Sequence, residues 1–226
     1  MMKAKRLATV LLAAALFAGC HKGVTLTDSD KVDQNNIFQL YKAKCDAESG
    51  KMEVSAVFRL DHRSGEQLRL TEPSKVTVNG QEMELNENGE YTRSIGKYQQ
   101  VLPFEYTNNN RQQFKNSIIT NTIAFNQENI TLSKSKTNHV TVKAEPFEES
   151  ESVSCMLTKG DETVEIDFDF ENGRLTITPD MLEPVQAGEY NARLVRKNYG
   201  YQLKALDRGG EWESQYVSPS KKITIQ

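Results

Sequence analysis

The side chains able to do chemistry are few in this chain of 226 residues. Its three histidines, His21, His62 and His139, stand far apart. No two have the H-x-x-x-H spacing that sets both rings on one helix face around a zinc ion. A nucleophile needs a base held beside it. The chain has no G-x-S-x-G elbow, no supported S-x-x-K and no phosphate-cradling glycine loop. These features favour a non-catalytic protein. An envelope enzyme of unfamiliar type would instead need a pocket with converging polar groups near His62 or His139. An acidic run, Asp161, Glu162, Glu165, Asp167, Asp169 and Glu171, raises the question of calcium. A hard cation wants six or more oxygens converging from a loop. Asp167, Asp169 and Glu171 alternate at strand period, which spreads them over ~13 Å of one face. They read as a solvated face, with no metal and no cofactor.

Four aromatic residues gather late in the chain: Tyr199, Tyr201, Trp212 and Tyr216. Tyr199 and Tyr201 share a strand face, and Trp212 lies across an expected turn at residues 206–211. Such a group contacts a protein partner or stacks on sugar rings when exposed. Packing of Trp212 and one or two tyrosines into a core is the favoured alternative. Cys45 and Cys155 either pair between domains or stay as buried thiols, which behave as small apolar residues. Pairing requires Cα atoms within about 7 Å.

The elements that must position these residues are strands. Val164, Ile166, Phe168 and Phe170 alternate with Glu165, Asp167, Asp169 and Glu171, one dry face and one wet. Asn172-Gly173 then reads as a hairpin turn. Val54, Ala56, Phe58 and Leu60 form a matching dry face earlier. Further strands are expected at residues 76–78, 83–85, 91–95, 102–106, 130–132, 140–142, 190–195, 199–206, 212–217 and 223–225. The apolar stretch 118–125 suits strand or short helix. An internal repeat underlies the pattern. Cys45, Gly50, Val54 and Phe58 recur as Cys155, Gly160, Val164 and Phe168, 110 residues apart. Looser parallels follow in order: Leu68–Pro73 with Leu175–Pro179, Gly89-Glu90-Tyr91 with Gly188-Glu189-Tyr190, and Val140 and Val142 with Ile223 and Ile225. This order predicts two copies of one domain.

The segment Pro184 to Ala192 resembles the tyrosine corner of immunoglobulin-like domains, with Tyr190 two residues before a core position. The family cysteine is replaced there by Ala192. The resemblance implies an all-β chain of two tandem immunoglobulin-like β-sandwich domains, with Tyr91 as the corner residue of the first copy. The acidic, proline-containing stretch Glu145–Ser152 reads as the connector. The expected division is residues 37–144 for the first sandwich and 145–226 for the second.

The chain begins with Lys3, Lys5 and Arg6, then an uncharged apolar run from Leu7 to Phe17, then Ala18 and Gly19 before Cys20. This is the pattern of a secretory signal, too short to span a bilayer. Leu16-Phe17-Ala18-Gly19-Cys20 resembles the lipobox of bacterial lipoproteins, although Phe17 stands where a smaller residue is usual. The resemblance implies removal of residues 1–19 and lipidation of Cys20, with a membrane as first partner. In enterobacterial members an aspartate after that cysteine retains the protein in the inner membrane. His21 stands there, which implies the outer membrane. Residues 20–36 are polar and without period and read as a flexible tether. Loss of the signal leaves 25 basic against 31 acidic residues, a net charge of −6. Such a chain gains nothing from a phosphate backbone, so nucleic acid is excluded as a partner. A non-catalytic cell-envelope module with a protein partner is the leading expectation. A glycan-binding lipoprotein using aromatics near Trp212 is the alternative.

Overall fold

Short stretches of period-two alternation, broken by Asn-Gly and Gly turns, leave the chain one way to bury its apolar side chains: as strands in stacked sheets. The computed structural model describes residues 24–171, 173–201 and 209–226. The first sandwich contains β1 (Thr27–Asp28), β2 (Ile37–Asp46), β3 (Lys51–Leu60), β4 (Leu68–Arg69), β5 (Lys75–Val78), β6 (Gln81–Glu82), β7 (Glu84–Leu85), β8 (Tyr91–Ile95), β9 (Val101–Thr107) and β10 (Gln113–Ile119). The second contains β11 (Ile123–Phe125), β12 (Ile130–Leu132), β13 (Asn138–Ala144), β14 (Glu151–Lys159), β15 (Glu162–Glu171), β16 (Arg174–Ile177), β17 (Gly188–Gly200), β18 (Gly210–Val217) and β19 (Lys221–Ile225). The chain is all-β, with two tandem immunoglobulin-like sandwiches.

In the first sandwich, β2, β3, β8 and β7 form one sheet and β10, β9, β5 and β6 the other. Aromatic rings interlock between them. Tyr41 on β2 meets Phe104 on β9 at 4.8 Å, and Phe58 on β3 meets Tyr106 at 4.6 Å. The turn Asn79-Gly80 joins β5 to β6, and both residues have positive φ, the backbone a two-residue hairpin demands. In the second sandwich β15 passes from one sheet to the other. It pairs with β14 over Glu162–Phe168 and with β16 over Asp169–Glu171. The expected dry face holds, because Val164, Ile166, Phe168 and Phe170 all pack into the second core. Tyr190 closes a tyrosine corner by donating its hydroxyl to the Gln186 carbonyl at 2.9 Å.

Several expectations are corrected. The cores divide between Ile118 and Ile123, not at residue 144. β11, β12 and β13 therefore belong to the second sandwich, and Glu145–Ser152 is largely a loop within it that runs into β14. Val140 and Val142 share one core with Ile223 and Ile225 and cannot be their copies. The repeated cysteine motif does mark a hairpin in each sandwich, but the registers differ. Val54 opposes Ala43, whereas Val164 opposes Leu157. The stretch 118–125 is strand on both sides of a break. Residues 188–200 form one strand rather than the separate strands expected there, and residues 202–208 lie outside the described residues. Tyr91 is no corner residue, since its hydroxyl accepts from the Leu70 N–H. Residues 24–36 are not a tether. β1 pairs with β4, and Ser29 and Gln34 are buried. Their polar groups bind Asn109 and the local backbone instead of water, which polarity alone does not distinguish from a solvated chain. Cys20 and His21 lie outside the described residues.

The two sandwiches are joined by more than the chain. β17 is 13 residues long, which is enough to serve both. Its start pairs with β19, its middle with β14, and its end with β18. β18 then runs parallel to β2 along Gly210–Val217, so a strand following the second sandwich's long strand completes the first sandwich's sheet. At the joint Arg196 continues the inner face of β17 past Ala192 and Leu194. The side chains of Arg196 and Glu151 are 1% and 0% exposed and meet at 2.5 Å. The guanidinium also donates to the carbonyls of Thr122, Glu145 and Pro146 and lies 3.8 Å over the Phe147 ring. A second clasp, Arg193 to Asp46 at 2.8 Å, links β17 to the end of β2.

Two outcomes follow from this joint. Arg196→Met leaves the Glu151 carboxylate buried without its cation, which costs about 3–5 kcal/mol. Denaturant unfolding measures it, and a midpoint equal to wild type would contradict the assignment. Asp46 gives the second. The Arg193 hydrogen bond, ahead of other causes, holds its carboxyl down from 3.8 to about 2. With the side chain 36% exposed, solvent screens the pair and its contribution stays under ~1 kcal/mol. A depressed carboxyl contributes in full above its unfolded pKa and loses that contribution as pH falls through the folded value. Asp46→Asn therefore lowers stability slightly above about pH 4 and flattens its decline towards pH 2. Melting temperature against pH, compared with wild type, reads this out.

Candidate functional site

The shared sheet, β17-β18-β2-β3-β8-β7, has one face on the first core and one face outward. Strand alternation decides which side chain goes where. Tyr41, Ala43 and Cys45 point inward and are buried, so Lys42 and Lys44 between them point out. The registers then align outward residues in rows across the sheet. One row reads Tyr199, Glu213, Lys42, Ser55, Thr92 and Glu84. The next holds Lys197, Gln215, Lys44, Glu53 and Ser94. The twist of the sheet bends this face into an open concavity of about 600 Å³ over β18, β2, β3, β8 and β7. The apolar residues bordering it among the described residues, Ala43 and Val54, are turned into the core. Within the first row Lys42 and Glu213 form an ion pair at 3.8 Å. At the edge of the face, Lys197 donates to Glu165, which also accepts from the Ser154 hydroxyl.

The four late aromatics do not form one surface. The structure brings Trp212 and Tyr216 to the inner face, against the first core. Tyr216 also touches the second core and meets Tyr98 edge-on at 5.7 Å. The Trp212 indole lies flat against Gly200, where an added Cβ would come within 2.0 Å of Nε1. Tyr199 is on the opposite face and 41% exposed, and Tyr201 is 75% exposed. The physical reason is register. Gly200, not a tyrosine, sits opposite Trp212, and cross-strand partners share a face. Tyr199 and Tyr201 are therefore the exposed pair of the four, and Trp212 is not part of their surface.

Cys45 and Cys155 are free and buried in different cores, so no interdomain disulfide forms. Equivalent places in two sandwiches keep them apart. Burial pushes the Cys155 thiol up to about 12, which suppresses thiolate chemistry. His62 is exposed in a turn, its Nδ1 accepting from the Ser64 N–H. His139 is exposed on β13, bordering an open groove whose other polar lining is amides, hydroxyls and Lys136. The His139 ring meets the Thr176 hydroxyl at 3.4 Å on the exposed sheet surface, and no carboxylate is bonded to either histidine among the described contacts. Among the described residues no group of three His, Cys, Asp or Glu side chains is placed to hold a metal ion.

The outward rows were partly readable in the sequence, since Glu53 and Ser55 alternate with Val54, Ala56 and Phe58. Their union with Glu213 and Gln215, more than 150 residues away, had no local signal.

Fold and face together define a tandem immunoglobulin-like protein with a polar concave sheet. No protein-family model and no curated protein matches the chain. Among solved structures it is similar to the I9–I11 tandem from titin, with 12% identity, 83% of this chain and 66% of that chain covered, and a TM-score of 0.26.

The contact between Trp212 and Gly200 makes Trp212 structural. Gly200→Ala forces the indole to shift and lowers stability by about 1–3 kcal/mol, whereas Tyr201→Ala stays within ±0.5 kcal/mol. Thermal unfolding of both variants checks this, and an unaffected Gly200→Ala protein would show the indole free to move.

Proposed function

We propose that this chain is a non-catalytic, lipid-anchored binding module of the bacterial cell envelope. Its lipid sits on Cys20, its place is the outer membrane, and its concave sheet face engages an envelope partner. The observation that carries the reading is the joint. Two sandwiches share β17 and β18 and are pinned by Arg196, so the face is held in one shape before any ligand arrives. Preorganisation lowers the entropic cost of binding. The lipobox-like run before Cys20 supports the anchor, and several acyl chains on one residue hold a protein stably in a bilayer.

Two measurements in the native host test this. Labelled palmitate enters the wild-type chain and not Cys20→Ser, and the variant leaves the membrane fraction. Equal fractionation of the two proteins removes the anchor from the proposal. A photo-crosslinking residue at Ser55 captures an envelope molecule that the same residue at Thr163, on the distant β14–β15 hairpin, does not. Equal capture at the two positions removes the binding face.

A further inference from the structure

Resting on that reading, we infer that the concave face binds an uncharged oligosaccharide chain laid across the strands. The argument begins with what the face lacks. The centre of a protein interface is depleted in charge and built on buried aromatic or aliphatic anchors. Here the concavity is lined by charged, hydroxyl and amide side chains, and Ala43 and Val54 turn away from it. A polyanion is disfavoured as well. Among the described residues the lining sets Lys42 and Lys44 against Glu53, Glu84, Glu90 and Glu213, while Arg93 shares Val54's face and donates to the Glu82 carbonyl, so the field over the concavity is negative and repels a polyanion.

What the face offers is dense hydrogen bonding in both directions. Ser55, Thr92 and Ser94 each donate and accept, Gln215 does so through its amide, the lysines donate and the carboxylates accept. A sugar ring presents the same mixture, with hydroxyls that donate to carboxylates and accept from ammonium groups. Hydrogen bonds in which one partner is ionised are the stronger kind. The length also fits. Six strands at ~4.8 Å spacing give the first row a span of ~24 Å, room for several consecutive rings. At the end of that row stands Tyr199, 41% exposed beside Glu213. Its ring supplies the apolar surface on which the C–H side of a sugar packs. Tyr201, 75% exposed and two residues on, extends the same end. The concavity and the tyrosines thus combine polar recognition along the chain with one stacking platform at its terminus.

The test uses the full mature chain and calorimetric titration with two probes, an uncharged β-1,4-linked N-acetylglucosamine hexamer and an oligouronate of equal length. The expected result is saturable binding of the uncharged probe, at least tenfold tighter than the oligouronate. Tyr199→Ala and Ser55→Asp each weaken binding roughly tenfold or more, while Thr163→Ala does not change it. Folding of each variant is checked by its melting curve. Binding that survives both face variants places the site elsewhere and overturns the inference. Tighter binding of the oligouronate overturns its uncharged ligand class. If neither probe binds but the Ser55 crosslinker still captures an envelope protein, the glycan inference fails and the binding module stands. If neither probe binds and the crosslinker captures nothing, both fail.

Discussion

One buried cation organises the joint between the two halves of this protein. Arg196 stands on the inner face of β17 just where the second core stops, with Asn198 and Gly200 beyond it. Its guanidinium is paired with Glu151 and bonded to three backbone carbonyls of the junction and the 145–151 loop. A guanidinium can meet so many acceptors because its five donors are fixed in a planar fork. Without it the loop carbonyls would be buried unpaired beside a buried carboxylate, and the junction at residues 120–122 would lose its seat. Glu151 also accepts from Asn121, so the carboxylate and the cation hold the same turn from two sides.

That pin fixes the path of β17, and β17 fixes β18. A strand of ordinary length would end inside its own sandwich. At 13 residues this one overruns, and the strand that follows it, β18, pairs with that overrunning end along Val195–Gly200. Its other edge pairs with the first domain's β2, in parallel and over its whole length. Backbone hydrogen bonding thus continues from one sandwich into the next. Ser214 reinforces the union by donating its hydroxyl to the Ile119 carbonyl at 2.7 Å. Relative motion of the domains would have to break a sheet, a far larger cost than bending a linker.

The outward face inherits this rigidity. Its rows draw residues from β17 and β18 on one side and from β2, β3, β8 and β7 on the other. Neither sandwich alone presents them. Function and domain joint are therefore one feature, and a variant that loosens Arg196 acts on the face without touching it.

The resemblance at Pro184–Ala192 implied the tyrosine corner at Tyr190 and the immunoglobulin-like class. Local pattern in the sequence already showed many of the strands, the dry faces of β3 and β15 and the hairpin turns, which follow from alternation and turn chemistry within a dozen residues, where side-chain period and backbone geometry are directly coupled. The tertiary structure decided everything that depends on which strand lies beside which. It placed β11–β13 in the second core and gave the repeated hairpins different registers. It folded the polar residues 24–36 onto the first sandwich, packed the half-buried Trp212 against Gly200, and kept Cys45 and Cys155 apart. The reason is that a strand's alternation names its two faces but not its neighbours. A one-residue slip in pairing exchanges the faces, and pairing between segments more than 150 residues apart leaves no mark in either segment alone.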